Sequence, residues 1–369
     1  MWHYDTLYWK LVADSLFNPI VAIAPYGENM QQNHKEMIEK IGKAVSFAKN
    51  KGYNYICCLD SSGEWINIRE QINPDIVFFS CPYKITRPKY FIYNFSDKLT
   101  LYYPYGSYMV NEPETQYNTQ FHNLLWRNFQ ETQFHLNESK IHSICKGDNS
   151  ELIGLLEYEK MIDPKYTPID VWKDQPHKKK RIIWAPHHSI KGLEFSSFLT
   201  LADIMVNIAI LYKESVQFAF KPHPALKFVL DYIWGKEKTD RYYQQWQEME
   251  NTQLEEGEFQ DLFLTSDAMI HDSISFQLAY LFSHNPVMYL LRNNDVLEKS
   301  NEFSRDCINL HYIGTSDSDI NNFIENVVLG GDDFMRQKRE SFLSQELLPK
   351  DNLLPSNKIL TLLKETLGK

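Results

Sequence analysis

Short apolar runs and segments of helical spacing alternate along most of this chain. Residues 19–26 form an apolar run bounded by Pro19 and Pro25, which reads as a buried strand. Met37, Ile38, Ile41, Val45 and Ala48 recur at helical intervals until Lys51-Gly52 ends the pattern. Further β-rich runs fall at residues 53–59, 76–79 and 99–103, and the spacing over 121–134 predicts a helix. Residues 163–181 break the pattern with Pro164, Pro168 and Pro176 and close on Lys178-Lys179-Lys180-Arg181, as an interdomain linker does. The alternation then restarts, with strands at 181–185, 216–220, 268–270 and 287–291 and helices at 195–212 and 275–282. From Ser304 onward the chain is polar and mostly helical. Strands alternating with helices predict an α/β protein with parallel sheets covered on both faces. The expected domains are 1–165 and 178–369, the last helix being a candidate to pack back on the first domain.

Composition removes several function classes. The 369 residues suffice for two separate cores. Glycine is scarce, 14 residues in all, and neither G-x-G-x-x-G nor G-x-x-x-x-G-K-[ST] occurs, so the glycine-rich phosphate loops are missing. A formal charge of −10 argues against a nucleic-acid partner. No apolar run approaches the ~20 residues of a membrane span, and the first ten residues lack the apolar stretch of a signal peptide. The cysteines, at 57, 58, 81, 145 and 307, form no C-x-x-C pair, which fits reduced thiols in the cytoplasm. The basic run 178–181 reads as a solvated lead-in to a strand. Its alternative is contact with a phosphate or with the inner face of the cell membrane.

Ligands of open parallel sheets bind beyond the carboxyl ends of the strands. Three strands of the second half end in groups suited to an anion: Pro186-His187-His188-Ser189, Lys221-Pro222-His223-Pro224 and His271-Asp272-Ser273-Ile274-Ser275. Imidazole titrates near physiological pH, which makes His187 and His223 candidate bases and His271 a third candidate catalytic group. Lys221, Asp272, Ser273 and Ser275 are candidates around donor phosphates, the serines through the N-terminus of the helix that follows. His188 and Ser189 are candidate contacts to donor or acceptor. No H-E-x-x-H or other diagnostic metal spacing is present, so no metal is expected, and no cofactor is required. The aromatics of 232–246 are expected to pack within a helix rather than to stack on a ligand.

At these segments the sequence resembles the CDP-glycerol glycerophosphotransferase family, the teichoic-acid and capsule polymerases and primases. The matching pieces are Trp184-Ala185-Pro186-His187-His188, Phe220-Lys221-Pro222-His223-Pro224, the stretch from Thr265 to Phe276, and Asn285-Pro286-Val287-Met288-Tyr289. The resemblance covers about residues 180 to 295. It implies a GT-B-like pair of Rossmann-type domains, with the acceptor on the side of the N-terminal one and a CDP-activated polyol donor on the C-terminal one. It further implies transfer of a polyol phosphate to a hydroxyl of a surface-polymer or lipid-linked acceptor, with release of CMP. Where the better-known teichoic-acid members carry an acidic-aromatic-Ser-Ser segment, this chain has His271-Asp272-Ser273-Ile274-Ser275, which leaves the polyol open. The alternatives are a GT-B nucleotide-sugar glycosyltransferase and a noncatalytic assembly protein.

Overall fold

The computed structural model describes residues 2–26, 34–190 and 195–369. The chain forms two compact units, one of Met1–Tyr108, Glu112–Glu159 and Pro349–Lys369, the other of Met109–Asn111 and Lys160–Leu348. Among the described residues no helix is long and apolar enough to cross a membrane.

In the first unit, β1 (Val21–Ile23) pairs in parallel with β2 (Tyr55–Cys57). A second parallel sheet has the order β3 (Ile76–Phe79), β4 (Leu99–Tyr102), β5 (Arg127–Gln130) and β6 (Ser150–Leu152). The helix expected over 121–134 is instead two helices flanking β5, Gln120–Leu124 and Gln133–His142. Each begins at a threonine: the side chains of Thr119 and Thr132 accept the backbone N–H of His122 and His135. Such caps fix helix starts, and they outweigh the helical spacing of Phe121, Leu125 and Phe129. The helices Asp5–Ala13 and Pro355–Thr366 share one core in this unit, where Leu7, Leu11, Ile359 and Leu363 meet Leu101, Tyr103 and Phe129. The buried carboxylate of Glu159 ties down that terminal helix by accepting from the backbone N–H (2.7 Å) and hydroxyl of Ser356, and from Lys10 Nζ (3.3 Å).

The second unit is built on six parallel strands: β7 (Lys180–Ala185), β8 (Val216–Phe220), β9 (Thr252–Leu254), β10 (Ala268–His271), β11 (Val287–Leu290) and β12 (Tyr312–Gly314). Their spatial order is β12-β11-β10-β7-β8-β9, so the chain winds outward one way from β7 and then returns to β10 on its other side. That reversal is the topological switch point of a doubly wound sheet, where a crevice opens at the carboxyl ends of the two central strands. The helix Phe198–Leu211 buries Leu201, Ala202, Met205 and Ala209. Aromatic rings fill the adjoining layer: Trp184 stacks on Phe198 (centroids 5.6 Å) and Phe220 (5.0 Å), and Phe220 on Trp246 (5.2 Å). Tyr242, Tyr243 and Trp246 are therefore core residues, whereas Tyr232 is exposed. Residues 163–181 pack on this unit instead of linking freely. Trp172 is buried, its indole N–H donates to Thr265 Oγ1 (3.1 Å), and Lys180 and Arg181 pair with Asp267 and Asp170.

Candidate functional site

The switch point brings two of the three sequence segments side by side, and β8 adds the third. Beyond β7 the chain runs through Pro186 into His187, His188 and Ser189, and beyond β8 through Lys221 and Pro222 into His223. The His223 N–H donates to Pro186 O at 3.0 Å, which locks these two strand ends together. Three half-buried imidazoles converge as a result: centroids are 4.3 Å apart for His187–His188, 4.9 Å for His187–His223 and 4.0 Å for His188–His223.

The hydrogen bonds of these rings determine their chemistry. His187 Nδ1 accepts the N–H of Ser189 at 3.2 Å, and His223 Nδ1 accepts the N–H of Ala225 at 3.1 Å. A neutral ring whose Nδ1 lone pair is so engaged carries its proton on Nε2. Both rings thus present an N–H donor. His188 differs, because its Nδ1 is buried and has no partner, so nothing commits its proton to either nitrogen. Burial, helped by His188 and His223, pushes His187 down to about 3; burial and His188 push His223 down to about 4; burial lowers His188 as well. All three rings are neutral near pH 7.

Among the described residues, one ring nitrogen from each of His187, His188 and His223 lies within 4.8 Å of the other two, close enough for a metal ion, although the sequence shows no metal spacing. A metal-bound histidine donates its second N–H to a neighbour. Here the second nitrogen of His187 and of His223 accepts instead. In this tautomer the two rings present N–H donors, which suit an anion; ligation of a cation through their Nε2 atoms would require both rings to give up the backbone bonds at Nδ1.

Asp272, expected beside the donor phosphates, has a different task. Its buried carboxylate accepts the N–H of His187 (2.6 Å), the N–H of Ser197 (2.6 Å) and the hydroxyl of Ser196 (3.0 Å). Burial lifts it to about 6 in spite of these bonds. It anchors the histidine loop to the start of the helix Phe198–Leu211, and a carboxylate would in any case repel a phosphate. His271, expected among the catalytic groups, is fully buried against Tyr289 and His311, and its Nδ1 faces the backbone of Ser273, 3.1 Å from the carbonyl oxygen and 3.2 Å from the nitrogen. Burial holds its pKa well below the ordinary histidine value, so it is a packing group. Ser273 is buried and Ser275 exposed. The helix after them, Phe276–Ala279, has four residues before it tightens, too few for the dipole expected of a phosphate-binding N-terminus. Ser189 is buried, its N–H spent on His187 and its carbonyl accepting the N–H of Ser196 at 3.1 Å.

Lys221 is buried at the end of β8 and donates from Nζ to Gly257 O at 2.7 Å. Burial lowers it to about 8, against the pull of Glu255 and Glu256. Sequence reasoning missed Ser196, Ser197 and Arg292. The serines contact Asp272 from about 75 residues away, a pairing no local motif announces. Arg292 was findable, because it follows β11 directly and the strand-end rule applies to it; its Nη1 donates to Ser196 O at 3.1 Å.

No family model and no curated protein matches the chain. Solved structures similar to it include the S. aureus MnaA–UDP co-structure (TM-score 0.55, 15% identity, covering 99% of this chain and 93% of that one). A UDP-N-acetylglucosamine 2-epimerase matches with TM-score 0.60 and 13% identity, over 99% of this chain and 92% of that one. The wall teichoic acid polymerase TagF matches with TM-score 0.52 and 14% identity, over 95% and 90%. At these identities the likeness concerns the fold, which is α/β and GT-B-like, as the alternation of strands and helices and the family resemblance predict.

Proposed function

We propose that the second unit holds the diphosphate of a nucleotide-activated donor at the carboxyl ends of β7, β8 and β10, and that the protein is a transferase of surface-polymer synthesis. The observation that carries this is the histidine cluster at the switch point, which offers two fixed Nε2–H donors, while Lys221 and Arg292 follow β8 and β11 at the same edge of the sheet. The preferred reaction is transfer of a polyol phosphate from a CDP-activated donor to an acceptor hydroxyl. The acceptor oxygen bonds to phosphorus, the bond from that phosphorus to the CMP oxygen breaks, and the acceptor proton goes to a ring. His188 suits that last role, since its protons are uncommitted, while His187 and His223 stabilise the crowded phosphorus and the leaving CMP. This changes the expected division of labour: His187 and His223 donate rather than accept.

The preference for CDP-polyol rests on the resemblance at residues 180 to 295 and on the fold likeness to TagF, which was solved after soaking with CDPG. A nucleotide-sugar enzyme is the second reading, supported by the fold likeness to structures solved with UDP or named for UDP-N-acetylglucosamine. Incubation with CDP-glycerol, CDP-ribitol and a panel of UDP-, GDP- and CMP-sugars, scoring the released nucleotide, separates the two. Release of CMP from CDP-polyols alone supports the first reading. Release of a nucleoside diphosphate, or turnover of a UDP-sugar, supports the second. No turnover and no heat with CDP, CTP or UDP would remove both.

A further inference from the structure

Between the histidine loop and the helix Phe198–Leu211, one buried residue has every polar atom engaged. Ser196 is 1% exposed. Its N–H donates to Ser189 O at 3.1 Å, and its carbonyl accepts from Arg292 Nη1 at 3.1 Å. Its hydroxyl donates to Asp272 Oδ2 at 3.0 Å and accepts the N–H of Phe198 at 3.2 Å. These bonds lead to His187 by two routes. Through Ser189, whose own N–H meets His187 Nδ1 at 3.2 Å, Ser196 bears on the tautomer of the ring. Through Asp272, whose Oδ1 accepts the His187 N–H at 2.6 Å, it bears on the backbone that carries the ring. His223 is held otherwise, by its N–H on Pro186 O at 3.0 Å and by the N–H of Ala225 on its Nδ1. Arg292, at the surface just beyond β11, is the outermost member of the network.

We propose that Arg292 is a positioning residue for His187, acting through Ser196 and Asp272 rather than by meeting a ligand itself. A peptide unit is planar, so its C=O and N–H point in opposite directions and turn together. The unit joining Ser196 to Ser197 has its carbonyl on the Arg292 guanidinium and its N–H on the Asp272 carboxylate, at 2.6 Å. A cation at the oxygen end and an anion at the nitrogen end both favour this orientation of the dipole, and each bond strengthens the other. Without the guanidinium the plane tilts, the Ser197 bond to Asp272 lengthens, and both holds on His187 loosen. The competing hold is apolar: Phe195 is buried with Tyr289 and Val296 one residue before the junction. The kinetic consequence of the positioning rests on the proposed function; the effect on His187 does not, and is read without nucleotide.

Arg292→Met, Arg292→Lys and Ser196→Ala are compared with the wild type, as intact chains, by amide exchange and by heteronuclear NMR of the histidine ring nitrogens. In Arg292→Met the His187 and Ser197 amides should exchange about 3- to 10-fold faster, the equivalent of one weakened hydrogen bond. The His187 ring nitrogens should shift toward a mixture of tautomers, while those of His223 stay fixed. Arg292→Lys keeps a cationic donor and should restore most of both. Ser196→Ala should speed exchange at His187 and Phe198 yet leave the His187 tautomer in place, because the Ser196 N–H still meets Ser189 O. Arg292 is at the surface, so its variants decide the matter even if Ser196→Ala fails to fold. An unchanged His187 in Arg292→Met would overturn the proposal in favour of the Phe195 hold, and equal changes at His187 and His223 would overturn it in favour of a general loss of stability. With the true donor, Arg292→Met should lower kcat about tenfold at a KM within about twofold of wild type. A raised KM at unchanged kcat would mark direct contact with the donor and overturn the proposal. If no donor is turned over, the proposed function fails, while the exchange and ring-nitrogen results still decide the positioning of His187.

Discussion

Glu131 should make the first unit less stable as pH rises, and Glu131→Gln should remove that dependence. Burial raises its carboxyl from 4.5 to about 7, opposed by the hydrogen bonds from Tyr103 and Ser107. The sign follows from proton uptake: between these two values the folded chain holds the proton and the unfolded chain does not. Stability from this group is therefore complete below about 4.5 and is lost as pH climbs through about 7. At 1.36 kcal/mol per unit, the loss is about 3 kcal/mol. The groups facing Glu131 sharpen the expectation. Tyr103 and Tyr108 are pushed well up by burial and stay neutral, and Glu157, raised to about 8 by burial and by the Glu131 charge, repels it.

Urea unfolding between pH 4 and pH 8, followed by amide exchange of β4 and β5, measures the effect in the unit concerned. Other carboxylates, such as Asp14 and Asp97, are held below their usual range by Lys364 and Arg69 and pull the opposite way. The informative quantity is therefore the difference between wild type and Glu131→Gln. It should change by about 3 kcal/mol across the window, with Glu157 titrating lower once the neighbouring charge is gone. Parallel stability curves for the two proteins would refute the reasoning, because they would mean that Glu131 is hydrated and ordinary.

Three further outcomes test the histidine site. Asp272→Ala deprives the His187 and Ser197 N–H groups of their acceptor, and amide exchange at both should accelerate about 10- to 100-fold, the equivalent of a hydrogen bond to a charged group; unchanged protection would show that the loop holds without it. His188→Asn should cost ~10²–10⁴-fold in kcat with the true donor and abolish the acidic limb of the pH–rate profile, whereas His223→Asn should lower kcat while keeping that limb; the reverse pattern would return the base to His223. Stoichiometric Zn²⁺ should give no tight binding, since metal ligation through Nε2 requires His187 and His223 to give up the tautomer that their backbone bonds impose; a submicromolar isotherm lost in His223→Ala would overturn that assignment.

How much of this was legible in the sequence depends on where each feature gets its stability. β7, β8, β10 and β11 are central and buried, so they read as near-continuous apolar runs. Their polar ends were visible for the same reason, as abrupt breaks after Ala185, Phe220 and His271. β5, β6 and β9 were not visible. β5 carries Asn128 and Gln130 inside the fold, and β6 and β9, three residues each at sheet edges, are held by a neighbour rather than by their own apolar content. The two capping threonines at 119 and 132 were the available signal for splitting 121–134, and hydrophobic spacing masked it. The roles of His271 and Asp272 were out of reach, because composition cannot say that one ring faces Tyr289 or that one carboxylate is claimed by three donors.

The scarcity of glycine then bears on how the chain would hold a diphosphate under the proposed function. A glycine-rich loop brings backbone N–H groups to the phosphate because no side chain intervenes. Here the turns after β7 and β8 are stiffened by Pro186, Pro222 and Pro224, and their spare backbone N–H groups, at Ser189 and Ala225, are turned onto imidazole Nδ1 atoms. Each such bond fixes a tautomer and so passes the donor character of the backbone through the ring to Nε2. The anion would meet side-chain N–H groups whose orientation the backbone has set. This arrangement needs no positive φ and no missing Cβ. It depends on the two short loops keeping their shape, which is the task of the buried Asp272 carboxylate and of the His223-to-Pro186 hydrogen bond.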